Sequence, residues 1–202
     1  RTSLAVSALR IMRYCHKIME ESPLQNYKAR QTALLGMLFA LSMALSFLES
    51  MLTPFFGLMP AMKLGLSNIV VMYAVLFLNR RSALYLVLLK ALFALLTRGV
   101  TAGFLSLCGG ALSLAVFCLL LALPFTITGY IFSVSGALAH NCGQLLGAAA
   151  LLSDKMAITY APMLLIAGLI VGSCTYMVSR LIFPAVKRII PPMSKAESKI
   201  AF

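Results

Sequence analysis

The sequence predicts an all-α, polytopic membrane protein of six transmembrane helices. Three observations predict it. Of the 202 residues 61% are hydrophobic and only 11% are charged, less than half of the roughly 25% usual in a soluble domain. The apolar runs are continuous and do not alternate with period two, which disfavours a β-barrel. The basic residues flank those runs, as the positive-inside rule requires of short loops. Mean hydropathy is +0.98.

A span needs about 20 apolar residues. The first is expected from Thr32 to Phe47, close to Glu49. A loop with Pro54, Gly57 and Pro60 follows. The second runs from about Ala61 to Leu78 and stops at Asn79-Arg80-Arg81. The third covers Ser82 to about Thr97, before Arg98-Gly99. No charged residue occurs from Gly99 to Ala139, which is too long for one helix. Pro124 and Gly129 divide it into a fourth span near Ala102–Leu123 and a fifth near Ile131–Leu152. The sixth runs from about Ala157 to Phe183. The organisation is a basic leader over 1–30, interfacial or partly ordered, a six-helix domain over 31–184, and a basic tail over 185–202.

The net charge is +12 and its placement orients the chain. Arg1, Arg10, Arg13, Lys17, Lys28 and Arg30 precede the first span. Arg180, Lys187, Arg188, Lys195 and Lys199 lie at or after the last. Both termini and the Arg80–Arg81 turn are therefore expected on the cytoplasmic side of a bacterial plasma membrane. The turn between the fourth and fifth spans has no basic residue and carries no orientation signal. The flanking basic residues suit anionic lipid head groups, and their arrangement does not suit nucleic acid.

The acids exclude more than they include. Asp154 is the only Asp, and the Glu residues are Glu20, Glu21, Glu49 and Glu197. Chemistry on diphosphates needs paired carboxylates to hold magnesium, and no Asp-rich motif is present. There is no phosphate-binding G-x-x-x-x-G-K-[ST] loop. No enzyme is expected. The five cysteines are Cys15, Cys108, Cys118, Cys142 and Cys174, with no Cys-x-x-Cys. With His16 and His140 as the only histidines, no metal site is expected.

Polar residues within the apolar runs are the candidates for function, because an unpartnered polar group in hydrocarbon is costly. Lys63, Asn68, Lys90, His140, Asn141 and Gln144 are of this kind, with Glu49 and Arg98 at span ends. Lys63 could hold an anionic head group or snorkel to the interface. Lys90 lies about 12 Å along its helix from Ser82, near mid-membrane, where it contacts a cavity or pairs with Glu49 or Asp154. Arg98 could continue the basic track or cap its helix. His140 and Gln144 are four apart and face one way, while Asn141 points about 100° aside. Three polar residues in five positions favour a lined cavity over a single interhelical bond. Gly36, Ala40 and Ala44 form a small-x-x-x-small face, suited to docking a partner helix or to packing within the bundle.

Four stretches carry a resemblance. They are Ala44-Leu-Ser-Phe-Leu-Glu49-Ser, Lys63-Leu-Gly-Leu-Ser-Asn68-Ile, Gly103-Phe-Leu-Ser-Leu-Cys-Gly109-Gly110 and Ala139-His140-Asn141-Cys-Gly143-Gln144-Leu. In this order they resemble the Gx transporter family, often labelled heptaprenyl diphosphate synthase component I. That family is similar to the substrate-binding S components of energy-coupling factor (ECF) transporters. The resemblance covers roughly Thr32 to Phe183. It implies a six-helix S-component bundle that binds a vitamin or precursor, docks a transmembrane coupling subunit and uses two partner ATPases for ATP hydrolysis. The docking face of the family, usually Ala-x-x-x-Ala, falls on Gly36, Ala40 and Ala44. The label suggests an amphipathic, isoprenoid- or quinone-related substrate. Substrate binding is then expected at Glu49, Lys63, Asn68, Lys90, Arg98, His140, Asn141 and Gln144. The rival expectation is a non-catalytic membrane subunit that recruits or regulates a prenyl diphosphate synthase.

Overall fold

Apolar runs broken by Gly and Pro give helices whose ends fall at those breakers. The computed structural model describes residues 29–51, 55, 65–151, 154–189 and 199–201. The leader up to residue 28 and Lys63 lie outside the described residues. Contact patterns divide the chain into Arg1–Met37 and Leu38–Phe202. Of the first unit, residues 29–37 are described and are helical.

Among the described residues there are six helices. We label them α1 (Ala29–Met51), α2 (Asn68–Leu78), α3 (Arg80–Arg98), α4 (Val100–Ala122), α5 (Gly129–Leu151) and α6 (Asp154–Ile189). Among the described residues three stretches are both long and apolar enough to cross a membrane: Ala29–Met51, Val100–Ala122 and Ala157–Leu181. α3 and α5 have 19 and 23 residues but carry Lys90 in one and His140, Asn141 and Gln144 in the other. At 1.5 Å per residue α3 is about 28 Å long.

The breaks have local causes. Gly99 adopts φ +87°, a left-handed conformation that ends α3 and allows α4 to start at once. Leu123 is extended, as the residue before Pro124 should be, and stops α4. α6 contains Pro162 and Pro184 and continues through both.

α3, α4, α5 and α6 pack in chain order, each against the next. α2 lies against α3, α4 and α5. Its described side chains from Val70 to Leu78 are all buried, so it is a core helix, apolar all round. Sequence predicts a span over 61–78, but 65–67 are non-helical and the helix begins at Asn68. Its last five residues, Ala74–Leu78, widen into a π-helical turn. Tyr73 and Phe77 stack at 4.5 Å, and Phe183 of α6 meets Phe77 edge-on at 5.0 Å.

The chain end returns to the α4–α5 turn. Ile127–Thr128 (β1) pairs in parallel with Ile200–Ala201 (β2). The Lys199 ammonium donates to the carbonyls of Leu121 and Leu123 at 2.9 and 3.2 Å. These are terminal carbonyls of α4, which a cation stabilises. The turn that carried no charge signal of its own therefore lies on the same side as the end of the chain.

Close helix approach depends on glycine. A Cβ on Gly136 of α5 would collide with the Phe117 ring of α4, which stacks on Phe132 at 4.6 Å. Around Gly36 nothing lies within 4 Å. Gly136→Ala should therefore destabilise by about 1–3 kcal/mol through overpacking, while Gly36→Ala should be neutral or stabilising by up to about 1 kcal/mol. Thermal unfolding in detergent checks this, and equal stability of the two variants would contradict the packing.

Candidate functional site

The buried polar residues converge on the four-residue stretch Gly65–Asn68 that leads into α2. Gly65 has φ +98°, which turns the backbone so that its N–H points at α1. The Glu49 carboxylate, fully buried on α1, accepts hydrogen bonds from the N–H groups of Gly65 and Leu66. Glu49 also lies close enough to Arg98 for their charges to interact.

The next two residues anchor to α3 and α4. Lys90 donates from Nζ to the Ser67 carbonyl at 3.2 Å. The Asn68 amide sits across the Ser113 hydroxyl of α4, with Nδ2 at 2.9 Å and Oδ1 at 3.1 Å. Lys90 is 6% exposed, Asn68 5% and Ser113 0%. The Ser67 carbonyl is thus one partner of the ammonium.

α5 closes the cluster from the other side. His140 Nε2 and Gln144 Nε2 are 2.8 Å apart, a ring acceptor receiving the amide proton when the other ring nitrogen carries hydrogen. A Cβ on Gly65 would meet His140 Cδ2 at 3.3 Å and Asn141 Oδ1 at 3.5 Å, so this turn packs directly on both side chains. Gly109 of α4 lies under the imidazole, where a Cβ would come within 2.9 Å of Nδ1. Asn141 Nδ2 donates to the Leu164 carbonyl of α6 at 2.6 Å. Gly168 leaves the space for that amide. Asn141 Oδ1 is buried and has no hydrogen-bond partner among the described residues.

Of the sequence-predicted binding residues, Glu49, Asn68, Lys90, His140, Asn141 and Gln144 form one buried cluster. Arg98 stands at the end of α3, half-buried and beside a cleft with α1. Lys63 lies outside the described residues. Gly36 in the first unit is exposed, and so are Ala40 and Ala44 in the second. Sequence reasoning missed Ser113 and Gly109. Ser113 was legible as a hydroxyl four residues beyond Gly109 and seven beyond Ser106, on the same face of α4.

Residues 38–182 match the family described as heptaprenyl diphosphate synthase component I. The chain belongs to that family. The match covers every residue of the polar cluster, so the cluster lies within the part of the chain that defines this component I protein. No curated protein and no solved structure matches the chain.

In this component I protein most cluster bonds join different helices. They tie α1 and α3 to the Gly65–Asn68 stretch, α2 to α4, and α5 to α6. Interhelical hydrogen bonds in a membrane contribute about 0.6 kcal/mol on average and up to about 1.7. A double-mutant cycle of Asn68→Leu and Ser113→Ala should give a coupling energy in that range. Equilibrium unfolding of the four proteins measures it, and strictly additive effects would break the assigned pair.

Proposed function

We propose that the protein is the substrate-binding membrane subunit of an ECF-type importer. The observation that carries this reading is the Asn141 carbonyl oxygen. Packing explains why Asn68 meets Ser113 and why Lys90 meets the Ser67 carbonyl. It does not explain a fully buried amide oxygen, aimed at the Gly65 turn, with no donor among the described residues. An orphaned acceptor costs about 1–3 kcal/mol, and a substrate hydroxyl or amide would recover that cost.

The remaining cluster suits an amphipathic molecule. Lys90 supplies positive charge, His140 and Gln144 supply oriented donors and acceptors, and Glu49 fixes the turn that faces them. Lys63, just before that turn in sequence, is the further candidate for an anionic head. The family description names a heptaprenyl diphosphate synthase, which favours an isoprenoid- or quinone-related substrate. Catalysis by this chain itself is disfavoured, because Asp154 is its only Asp and the sequence has no Asp-rich motif to hold magnesium. Energy would come from two partner ATPases through a coupling subunit. Ala40 and Ala44, exposed on α1, would take the coupling subunit, with Gly36 extending the small-residue pattern in sequence.

The description as component I favours a second reading, in which the chain is a non-catalytic membrane subunit of a two-component prenyl diphosphate synthase. Affinity recovery of the tagged chain from its native membrane separates the two. A coupling subunit and ATPases in the eluate support import, and a prenyl diphosphate synthase without ATPases supports the second reading. Under import, Lys90→Met and Asn141→Leu should abolish uptake while the chain still inserts in the membrane. Ala40→Leu and Ala44→Leu should lose the coupling subunit. Uptake unchanged in both site variants would remove the site assignment.

A further inference from the structure

A second candidate site lies apart from the polar cluster. α1 and α3 diverge around a cleft of about 620 Å³, within the range usual for small-ligand sites. Met43, Ala44 and Phe47 of α1 form one wall, and Phe93 and Ala94 of α3 form the other. Arg98 closes one end. The Ser50 and Thr97 hydroxyls also line it, but both donate to carbonyls of their own helices, Phe47 at 2.6 Å and Phe93 at 2.7 Å. The charged donor of the lining is therefore Arg98.

We propose that this cleft holds one anionic phospholipid, with its phosphate on Arg98 and an acyl chain along Met43, Phe47 and Phe93. Three features choose this occupant. A guanidinium presents paired N–H groups that match phosphate oxygens, and it keeps its charge when partly desolvated. Glu49 lies near Arg98, and the five N–H donors of a guanidinium are enough to serve a carboxylate and a phosphate together. The cleft walls also include exposed apolar side chains, Phe47 at 66% and Phe93 at 39%, so a lipid can enter sideways. Arg98 lies about 28 Å along α3 from Arg80, near the thickness of a hydrocarbon core, which puts the guanidinium at head-group level if α3 crosses the bilayer. The net charge of +12 enriches anionic lipid around the whole chain. Arg98 lies beside Glu49 of the cluster, yet a lipid in this cleft does not require that the protein be an importer.

Native mass spectrometry of the full chain in mild detergent tests the proposal, with phosphatidylglycerol and phosphatidylcholine of matched acyl chains added at equal concentration. Both lipids offer a phosphate, but only phosphatidylcholine brings a cationic choline that opposes Arg98, so the wild-type protein should retain one phosphatidylglycerol with a preference of about tenfold. Arg98→Gln should lose the preference and Arg98→Lys should keep part of it. Ala44→Phe, a change at an exposed residue that fills the cleft, should exclude both lipids. If Arg98→Gln fails to fold, Ala44→Phe decides alone. Retention at wild-type level in Ala44→Phe, or an undiminished preference in folded Arg98→Gln, overturns the site. Displacement of the phosphatidylglycerol by an equal concentration of farnesyl diphosphate overturns the occupant. The readout is lipid retention by the isolated chain and not uptake, so failure here leaves the import reading standing.

Discussion

The architecture depends on a buried carboxylate holding a bent piece of backbone. Glu49 is fully buried at the end of α1, and its oxygen takes the N–H groups of Gly65 and Leu66. A carboxylate at that depth is tolerable only when hydrogen bonds and a nearby cation compensate it. The two N–H groups and Arg98 do so. The same bonds satisfy backbone donors that lie ahead of α2 and have no helical acceptor. Once Gly65 is fixed in its left-handed conformation, the direction of the next three residues follows. The Ser67 carbonyl then faces Lys90, and Asn68 faces Ser113. One anionic side chain thus sets where α2 begins and which groups it offers to α3 and α4.

The helices around this stretch come close because their facing positions are small. Gly109 and Gly143 bring the α4 and α5 backbones together so tightly that a Cβ on Gly143 would meet the Cys108 carbonyl at 2.5 Å. Gly172 does the same for α6 against Val134 of α5. In an apolar solvent the hydrophobic effect does not drive helices together, and dispersion and hydrogen bonding must. Each atom pair contributes only about 0.1–0.2 kcal/mol, so backbone contact along several turns outweighs any single hydrogen bond in the cluster. The polar bonds select one register among those that close packing allows. His140 illustrates the division of labour: its ring lies over Gly109 while Nε2 meets Gln144.

Much of this was legible from sequence. Pro124, Gly129 and Gly99 mark the helix ends because their backbone restrictions act locally. His140 and Gln144 share a face because four residues make just over one helical turn. Lys90 was expected to meet a cavity or to pair with Glu49 or Asp154, and the Ser67 carbonyl it meets is a partner that any residue can supply and no pattern reveals. α2 was read as a full span because hydropathy scores apolar side chains alike, whether lipid or protein surrounds them. Only the contacts of Val70 to Leu78 distinguish the two. The strap from Lys199 to the end of α4 joins positions 78 apart in sequence, with nothing local to announce it.

If the cluster binds substrate as proposed, Asn141 is the residue where packing and binding meet. Its Nδ2 ties α5 to the Leu164 carbonyl of α6, next to a core of Leu164, Ala167 and Val171 against Leu105 and Ala148. Its Oδ1 points the opposite way, towards Gly65. The two atoms belong to one planar amide, so neither can be moved without the other. A donor on Oδ1 would polarise the amide and strengthen the bond from Nδ2, since hydrogen bonds in series reinforce each other. A substrate group held there would therefore tighten α6 against α5 and press on the Gly65 turn that Glu49 holds. Binding and helix arrangement would then be two readings of the same amide, without any long chain of intermediates between them.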